Sequence, residues 1–509
     1  MSALLLREIK AADQWPAQDD QRSPRMRERL LDDLAAEHSR PAYSLVVFTG
    51  IVQTIELALI AFAGILPYIL YVAPAHGYEP IFFSVTPAVA LFSIVVFQTL
   101  HTYTLTALRQ PVRQFFRVAM GWSFVFLIVF AASFLLKIDG LISRVWIVSW
   151  YALGLLVLGT ERALLSRICA GMARSGRLER RAVVVGGGEF GSELLRDLAR
   201  TGSGEVRALG VFDDRSNDRA PETVEGFPKL GNVDDLVEFA RRTRIDLVIF
   251  ALPITAEQRI LQMLKKLWVL PIDIRLAAHA NRLRFRPRSY SYVGKAPMLD
   301  ILDKPIADWD VVIKIASDKI IGGLALLAFS PLLLATAIAI KLDSRGPVFF
   351  RQKRYGFNNE QIDVFKFRSL YADHTDATAA RLVTRNDPRV TRVGRFIRRT
   401  SIDELPQLIN VVFKGNLSLV GPRPHALHAK AADRQYDEVV DGYFARHRVR
   451  PGITGWAQIN GWRGETDTQD KIQQRVEHDL HYIENWSIMF DLYILAMTPT
   501  SLLKSQNAY

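Results

Sequence analysis

Four long apolar stretches in the first third of the chain constrain its fold more than any other feature. Each can supply the about 20 consecutive apolar residues that cross the hydrocarbon core of a bilayer. Their spacing predicts two helical hairpins, and hence a four-helix transmembrane bundle over residues 43–170. The stretches cover residues 43–72, 81–108, 118–136 and 141–158.

Basic residues around these stretches predict their orientation. The first loop, residues 73–80, has no Lys or Arg, whereas basic residues occupy the second loop and the end of the fourth stretch. Because cytosolic loops collect Lys and Arg, both ends of the bundle are expected in the cytosol. Residues 1–42 have no apolar run and are interpreted as a cytosolic tail without a cleavable signal peptide. The basic residues are Arg109, Arg113, Arg117, Arg162, Arg167, Arg174, Arg177, Arg180 and Arg181.

The composition narrows the classes of partner. The 509-residue chain has a hydrophobic fraction of 49%, a mean hydropathy of +0.10 and a formal net charge of +12. A basic and apolar chain indicates an anionic partner: lipid headgroups, nucleic acid or a phosphorylated substrate. The single cysteine, Cys169, excludes an intrachain disulfide and a thiolate zinc site. Residues 279–307 are polar and basic, and are interpreted as a linker that carries a hairpin.

Residues 180–278 predict a Rossmann-like cytosolic domain. An apolar strand leads into Gly186, Gly188 and Gly191, which fit the G-x-G-x-x-G pattern. A second strand ends at Asp213, where an acid can meet the ribose hydroxyl of a bound nucleotide. Close packing of a helix on a strand requires the same glycines. Nucleotide binding and a structural or dimerising role therefore both stay open for this domain.

The last apolar run, residues 320–340, is long enough to span a bilayer but has Ser330-Pro331 at its middle. Both flanks are basic, so a simple crossing would place the second basic cluster outside, against the charge bias of cytosolic loops. Proline also removes a backbone donor and breaks a helix. The pattern favours a re-entrant helix over residues 314–341 that turns at Ser330-Pro331. The alternative is an ordinary fifth span with a kink.

Asp403 and Glu404 lie in a segment that predicts chemistry on an anion. Ser401 precedes the helix-like run Glu404–Val412 and is a natural N-cap, so both acids would lie in the first turn. Arg398 lies just upstream, and a carboxylate among cations is expected to stay ionised. The same cations attract a diphosphate, and covalent phosphoryl transfer needs this combination together with a divalent metal. The alternative is simple helix capping.

Arg423 lies between Pro422 and Pro424, after a short apolar strand. Flanking prolines restrict the backbone and fix the direction of the Arg side chain. A guanidinium held in this way suits bidentate recognition of phosphate. A rigid turn with a solvated Arg is the alternative.

Three long motifs together resemble the bacterial sugar transferase family, the monotopic phosphoglycosyl transferases. They are Arg-Arg-Thr-Ser-Ile-Asp-Glu-Leu-Pro-Gln-Leu, Gly-Pro-Arg-Pro and Pro-Gly-Ile-Thr-Gly-Trp-Ala-Gln-Ile-Asn-Gly, in this order. The resemblance covers residues 308–509, which would form the catalytic domain with its re-entrant helix. The two preceding regions resemble the large branch of the family, the polyprenyl-phosphate hexose-1-phosphate transferases. The ending Asn507-Ala-Tyr509 is similar to that of undecaprenyl-phosphate glucose phosphotransferases.

The resemblance implies a reaction at a bacterial inner membrane, with the catalytic domain in the cytosol. Asp403 would attack the sugar-bearing phosphorus of a UDP-sugar, release UMP and form a phosphosugar–aspartyl enzyme. Undecaprenyl phosphate would then attack this intermediate, in the first membrane step of polysaccharide biosynthesis. Glu404, with Asp403, would hold Mg²⁺ or assist the acceptor. Glucose is the expected sugar, and a homodimer the expected assembly.

The resemblance also implies which other residues contact the substrates. Ser330 and Pro331 match the family's helix break. Residues expected to bind phosphate or substrate are Arg398, Arg423, Pro422, Pro424, Lys366 and Arg368.

Three other functions were weighed against this one. A membrane-anchored NAD-dependent nucleotide-sugar epimerase or dehydratase would pair a Tyr with a Lys four residues later, and no Tyr in the chain has one. A non-catalytic scaffold for polysaccharide assembly would not explain the clustered acid, arginine and glycine motifs. Nucleic-acid binding fits the charge, but the basic segments adjoin membrane segments, which favours phosphorylated lipid and sugar substrates.

Overall fold

The computed structural model describes most of the chain from residue 43 to residue 504. The described residues are 43–108, 110–135, 143–175, 179–201, 206–215, 223–277, 291–293, 296–372, 387–425, 430–431, 434–435, 442–462 and 468–504. The expectations for the N-terminal tail 1–42, for Arg109 and Arg177, for residues 279–290 and 294–295 of the basic linker and for Asn507-Ala-Tyr509 fall outside these residues.

Long apolar helices form where the sequence has its long apolar stretches. Together with α8, described below, they make five helices that are long and apolar enough to cross a membrane. The four in this region are α1 (Leu45–Pro67), α2 (Ile81–Thr99), α3 (Pro111–Leu135) and α4 (Arg144–Arg174). α1 continues through a π-helical turn, Tyr68–Val72, into a short helix, Ala73–His76.

Tryptophan and ionic contacts join these helices. Trp146 and Trp150 on α4 donate their indole N–H groups to the carbonyls of Gly64 and Ile60 on α1, at 2.7 and 3.0 Å. Glu56 is fully buried: it pairs with the guanidinium of Arg162 and accepts the hydroxyl of Tyr103 at 2.5 Å. Glu56 therefore makes a helix–helix ion pair.

A Rossmann-like sheet follows, as the glycine pattern predicts. Its central strands are ordered β4-β2-β1-β5-β6, with β5 parallel to both β1 and β6 and with β4 parallel to β2. Numbered along the chain, these five strands follow the order 3-2-1-4-5, which matches five of the six strands in the dinucleotide-binding order 3-2-1-4-5-6. The strands are β1 (Arg180–Val185), β2 (Val206–Phe212), β3 (Thr223–Val224), β4 (Phe227–Gly231), β5 (Leu247–Phe250) and β6 (Asp273–Ala277). The helices are α5 (Glu189–Thr201), α6 (Val233–Arg242) and α7 (Glu257–Leu267).

The segment interpreted as a linker contributes two strands to the same sheet. β7 (Ser291–Val293) pairs antiparallel with β8 (Ala296–Leu302), and β8 pairs antiparallel with β6. The domain therefore extends beyond residue 278, where the sequence interpretation ended it.

α8, Asp308–Asp343, is one continuous helix that contains Ser330 and Pro331. A proline removes one backbone donor and kinks a helix without necessarily ending it, and the break expected at Ser330-Pro331 stays a prediction. The Ser330 hydroxyl donates to the Leu327 carbonyl at 2.7 Å. Re-entry, in which α8 enters the membrane, bends and returns to the same side, stays a prediction.

The remaining elements pack around α8. Near its start Lys314 pairs with Asp491 at 2.6 Å, and at its end Asp343 accepts the N–H of Val393 at 3.1 Å. The strands are β9 (Phe349–Tyr355), β10 (Gln361–Phe367), β11 (Ser418–Val420), β12 (Lys430–Ala431), β13 (Arg434–Gln435) and β14 (Gly452–Thr454). The longer helices are α9 (Arg392–Arg399), α10 (Gln469–Glu484) and α11 (Ile488–Lys504).

Candidate active site

The Asp403-Glu404 pair lies in a tight turn after α9. Ser401 has a left-handed backbone, with φ at 58°, and Ile402–Glu404 then forms a single 3₁₀ turn. The prediction that Ser401 is a side-chain N-cap is wrong, because capping residues have extended backbones and the Ser401 side chain makes no capping hydrogen bond here. The left-handed residue costs about 1–3 kcal/mol, a strain typical of functional sites.

Two cations hold the carboxylate of Glu404. Lys366 Nζ lies 2.9 Å from Glu404 Oε1, and Arg423 Nη2 and Nη1 lie 2.5 and 3.2 Å from Oε1 and Oε2. Burial raises the pKa of Glu404, but Arg423 and Lys366 outweigh it and hold this pKa well below its usual value. Glu404 is therefore a fixed anion that positions two cations.

Asp403 has the opposite balance. Burial and, less strongly, the negative charge of Glu404 together raise its pKa to about 6 against the pull of Lys366, Arg398 and Arg423. The prediction that neighbouring cations keep this carboxylate fully ionised holds for Glu404, whereas Asp403 titrates close to neutrality. At pH 7 and above Asp403 is mostly an anion, and it is more basic than an ordinary aspartate.

Asn410 brings Lys366 to the acids. It is fully buried, its Oδ1 accepts the N–H of Phe365 at 2.9 Å, and its Nδ2 donates to the carbonyl of Asp363 at 2.7 Å. These bonds attach the helical segment after Asp403-Glu404 to β10, the strand that carries Lys366. The sequence interpretation missed Asn410, which lies six residues after Glu404 and two residues after the end of that motif.

The Pro-Arg-Pro loop is placed by close backbone contacts. The N–H of Gly421 donates to the carbonyl of Thr454 at 2.9 Å, and the N–H of Gly452 donates to the carbonyl of Pro422 at 2.9 Å. A Cβ on Gly421 would lie 2.5 Å from the carbonyl oxygen of Arg450, and a Cβ on Gly452 would lie 2.1 Å from the nitrogen of Gly421. Only glycine allows this approach, so the first glycines of the Gly-Pro-Arg-Pro and Pro-Gly-Ile-Thr-Gly motifs fix where the backbone of Arg423 lies.

Two arginines, Arg446 and Arg354, hold the other side of this loop. Arg446 Nη2 donates to the carbonyl of Arg423 at 2.8 Å, and Arg354 Nη1 donates to the carbonyl of Pro424 at 3.2 Å. Arg446 is fully buried and pairs with Asp479 at 3.0 and 2.5 Å. Sequence reasoning missed Arg446 and Asp479, because 33 residues separate them and neither lies in the motifs.

Comparison with known proteins identifies the family of this chain. The family model described as bacterial sugar transferase matches residues 309–505, and one described as CoA-binding domain matches residues 98–278. The undecaprenyl-phosphate glucose phosphotransferase of Komagataeibacter xylinus is 41% identical over 369 residues, 71% of this chain and 66% of that protein. Two proteins named UDP-glucose:undecaprenyl-phosphate glucose-1-phosphate transferase also match.

The second of these relatives, from Xanthomonas campestris pv. campestris, is 34% identical over 396 residues, 77% of this chain and 81% of that protein. The third, from Escherichia coli K12, is 38% identical over 372 residues, 72% of this chain and 76% of that protein. This chain belongs to the bacterial sugar transferase family. The expected resemblance is thus confirmed over most of the transferase.

One residue expected in the transferase's basic site points elsewhere. Arg368 is buried and donates to the carbonyls of Ser344 and Arg345, which follow α8. Its side chain thus anchors the end of α8, and its contact with a phosphate stays a prediction. Lys366, near the end of β10, does reach the acids.

The glycine turn of the Rossmann-like domain is built as predicted, but its acid is engaged. Gly186 has a φ of 105°, and a Cβ on Gly191 would lie 2.1 Å from the Gly186 carbonyl oxygen. Asp213 accepts the N–H of Gly187 at 2.7 Å and the guanidinium of Arg215 at 2.6 Å. Asp213 therefore shapes the glycine turn, and its contact with a ribose stays a prediction.

The acids also fit a magnesium ion. Mg²⁺ is usually bound by one or two carboxylates together with substrate phosphates, so it needs no protein cage. Within the described ranges, no group of three or more His, Cys, Asp or Glu side chains converges on one point. Asp403 and Glu404 are adjacent, and a diphosphate bound beside Arg423 would supply the remaining ligands.

Proposed function

We propose that this protein transfers glucose 1-phosphate from UDP-glucose to undecaprenyl phosphate and releases UMP. The observation that carries this proposal is the pair Asp403 and Glu404. One carboxylate has a pKa of about 6 and the other is clamped by Lys366 and Arg423. Relatives that align with 71% and 77% of the chain have names that describe this reaction.

The proposed chemistry has two displacements at one phosphorus atom. A carboxylate oxygen of Asp403 attacks the phosphorus that carries glucose, and the bond from this phosphorus to the bridging oxygen breaks. UMP leaves with the electron pair. A phosphate oxygen of the acceptor then attacks the same phosphorus and displaces Asp403, which gives the lipid diphosphate sugar. Arg423, Lys366 and Arg398 face the charge that develops on the phosphoryl oxygens.

Mg²⁺ is part of the proposal. Asp403 and Glu404 would hold it, and its charge would neutralise the diphosphate of the donor. Glu404 already fixes Arg423 and Lys366. Together with Mg²⁺, these two side chains make three cationic groups that would surround one anionic substrate.

The membrane arrangement completes the proposal. α1 to α4 would form a four-helix transmembrane bundle in the bacterial inner membrane, and α8 would re-enter from the cytosolic face. Support comes from contacts at both ends of α8: Lys314 pairs with Asp491, and Asp343 accepts the N–H of Val393. Both contacts belong to the C-terminal catalytic segment, which would then lie in the cytosol, where UDP-glucose is available.

Two further expectations, one for the pathway and one for the assembly, accompany this function. The lipid-linked sugar would start the assembly of an exopolysaccharide, a capsule or an O-antigen. The protein would act as a homodimer, as the resemblance to the large branch implies. Its Rossmann-like domain keeps the glycine turn of a nucleotide-binding domain. A Cβ added to Gly188 in this turn would lie 3.4 Å from the guanidinium of Arg215.

The replacement Asp403→Asn tests the nucleophile. The amide keeps the shape of the side chain but cannot attack phosphorus, so UMP release from UDP-glucose should fall by at least about 10³-fold. The matched control is Asp470→Asn, because Asp470 is exposed in the first turn of α10. Intact-protein mass spectrometry with donor alone should find a hexose phosphate adduct on the wild type and none on Asp403→Asn. Undiminished turnover of the Asn variant would reject the nucleophile.

A donor panel tests the sugar. UMP release should be fastest with UDP-glucose and at least about tenfold slower with UDP-galactose, because a misplaced hydroxyl leaves a polar group unpaired. UDP-N-acetylglucosamine and UDP-N-acetylgalactosamine complete the set. A preference for one of these other sugars would overturn the glucose assignment but leave the reaction class intact.

A further inference from the structure

An apolar cavity of about 290 Å³ leads to the candidate active site. Ala325 and Phe329 of α8 line one side of it, and Leu495 and Pro499 of α11 line another. Glu404 and Arg423 also line it. Phe329 directly precedes Ser330-Pro331 and is 43% exposed. One cavity therefore touches a helix of membrane character and the charged groups of the site.

Three of the four hydroxyl groups on the cavity wall donate their hydrogens to other residues. Thr498 donates to the carbonyl of Ile494 at 2.7 Å, so the 2.8 Å contact between Thr454 and Thr498 uses the Thr454 hydrogen. Ser501 donates to the backbone carbonyl of Gln458 at 3.2 Å. A hexose needs hydrogen-bond partners for each hydroxyl group that it buries. These three hydroxyls offer no hydrogen, so the wall suits hydrocarbon better than a sugar.

Gln458 supplies the one amide side chain of the wall. Its Oε1 is buried and has no hydrogen-bond partner among the residues that the structure describes. A single amide can orient one headgroup atom, but it does not satisfy the several hydroxyls of a hexose.

We propose that this cavity binds the isoprene units next to the phosphate of the polyprenyl acceptor. The inference rests on the proposed function, because it places that reaction's acceptor. The phosphate would lie at Arg423, beside Asp403, and the isoprene units would run between α8 and α11. Burial of each added CH₂ group contributes about 0.8 kcal/mol, so the enzyme should select long acceptors over short ones.

Ala325→Phe tests the cavity, with Ala328→Phe as its matched control. Both alanines lie on α8, but Ala325 lines the cavity whereas Ala328 is exposed and does not. The full-length protein is first given UDP-glucose alone, and the UMP burst is measured. It is then given dimethylallyl phosphate, geranylgeranyl phosphate or undecaprenyl phosphate. Phe329→Ala, which widens the cavity without adding bulk, is measured in the same way.

The expected result separates the two half-reactions. Ala325→Phe should keep the UMP burst and raise the KM for undecaprenyl phosphate at least about tenfold, and Ala328→Phe should change neither. Phe329→Ala should reduce the preference of the enzyme for long acceptors over short ones. Equal loss of burst and transfer in folded Ala325→Phe protein would assign the cavity to the donor. An unchanged acceptor KM in both cavity variants would also overturn the proposal. Absence of a burst in the wild type would instead refute the covalent function proposed above.

Discussion

Asp403 and Glu404 are adjacent in the chain, but the structure gives them different roles. Glu404 accepts both Lys366 and Arg423, and these cations outweigh its burial. Among the residues that the structure describes, none holds Asp403 with such a hydrogen bond, and burial dominates its pKa. Two acids whose pKa values are driven apart by their surroundings can divide the tasks of anchor and nucleophile. The less stabilised carboxylate is the better nucleophile, since its electron pair is less engaged.

The acid limb of the pH–rate profile follows from this balance. The pKa of Asp403 is raised to about 6, so donor turnover should be maximal above this pH and fall as the pH drops through it. Glu404→Gln removes a charge that raises the pKa of Asp403, so the limb should move to lower pH by about one unit. Lys366→Met removes a charge that lowers it, and the limb should move to higher pH.

UMP release measured between pH 4.5 and pH 9, at saturating UDP-glucose, checks both directions. Lys353→Met serves as a control, because Lys353 lies on the neighbouring strand β9 and is exposed. Shifts of the same sign in Glu404→Gln and Lys366→Met would contradict the electrostatic account.

At the scale of the element, α8 is the feature that decides the membrane topology. A straight helix from Asp308 to Asp343 has 36 residues and would be about 54 Å long, more than a bilayer core needs. Lys314 and Asp343 are nevertheless both held by the C-terminal segment. A helix with both ends held on one segment is consistent with re-entry, and Pro331 weakens it midway.

Cysteine labelling tests this topology. The only natural cysteine, Cys169, is buried. Leu342→Cys, at a position 84% exposed, reports the end of α8, and Tyr78→Cys, at a position 80% exposed, reports the loop after α1. With a membrane-impermeant thiol reagent on spheroplasts, Tyr78→Cys should react and Leu342→Cys should be protected. Inverted vesicles should give the reverse pattern. Labelling of both positions from outside would show that α8 crosses the membrane.

Across the whole molecule, the sequence predicts the structural features that depend on residues close together in the chain. The long apolar helices and the strand–glycine–helix unit around Gly186 are local patterns, and the structure has them. The clamp on Glu404 is not local, because Lys366 and Arg423 lie 38 residues before it and 19 residues after it. The expectation for Arg368 came from its closeness in the chain to Lys366, which does not reveal that the Arg368 side chain donates to the carbonyl of Ser344.

The segment Tyr443–Arg448 shows how two domains of the chain meet at this site. Arg446 within it holds the carbonyl of Arg423. The Rossmann-like domain contacts the same segment: Trp268 packs against Gly442, where a Cβ would lie 2.1 Å from the indole, and the Arg241 guanidinium lies 5.2 Å from the centre of the Phe444 ring. The Rossmann-like domain thus packs against the segment whose Arg446 holds the Pro-Arg-Pro loop.

Removal of this contact should slow the chemistry without removing any group that touches substrate. Trp268→Ala leaves space beside Gly442, and the added freedom of Arg446 and Arg423 should lower the rate of UMP release about three- to tenfold. Trp268→Phe, which keeps an aromatic ring there, should recover most of it. Asp479→Asn frees Arg446 directly and should cost more than Trp268→Ala, because it leaves a buried guanidinium without its anion. Rapid-quench measurement of burst rate and burst amplitude separates slower chemistry from loss of folded protein. A full burst rate in Trp268→Ala, with Asp479→Asn impaired, would show that Arg446 acts without help from the Rossmann-like domain.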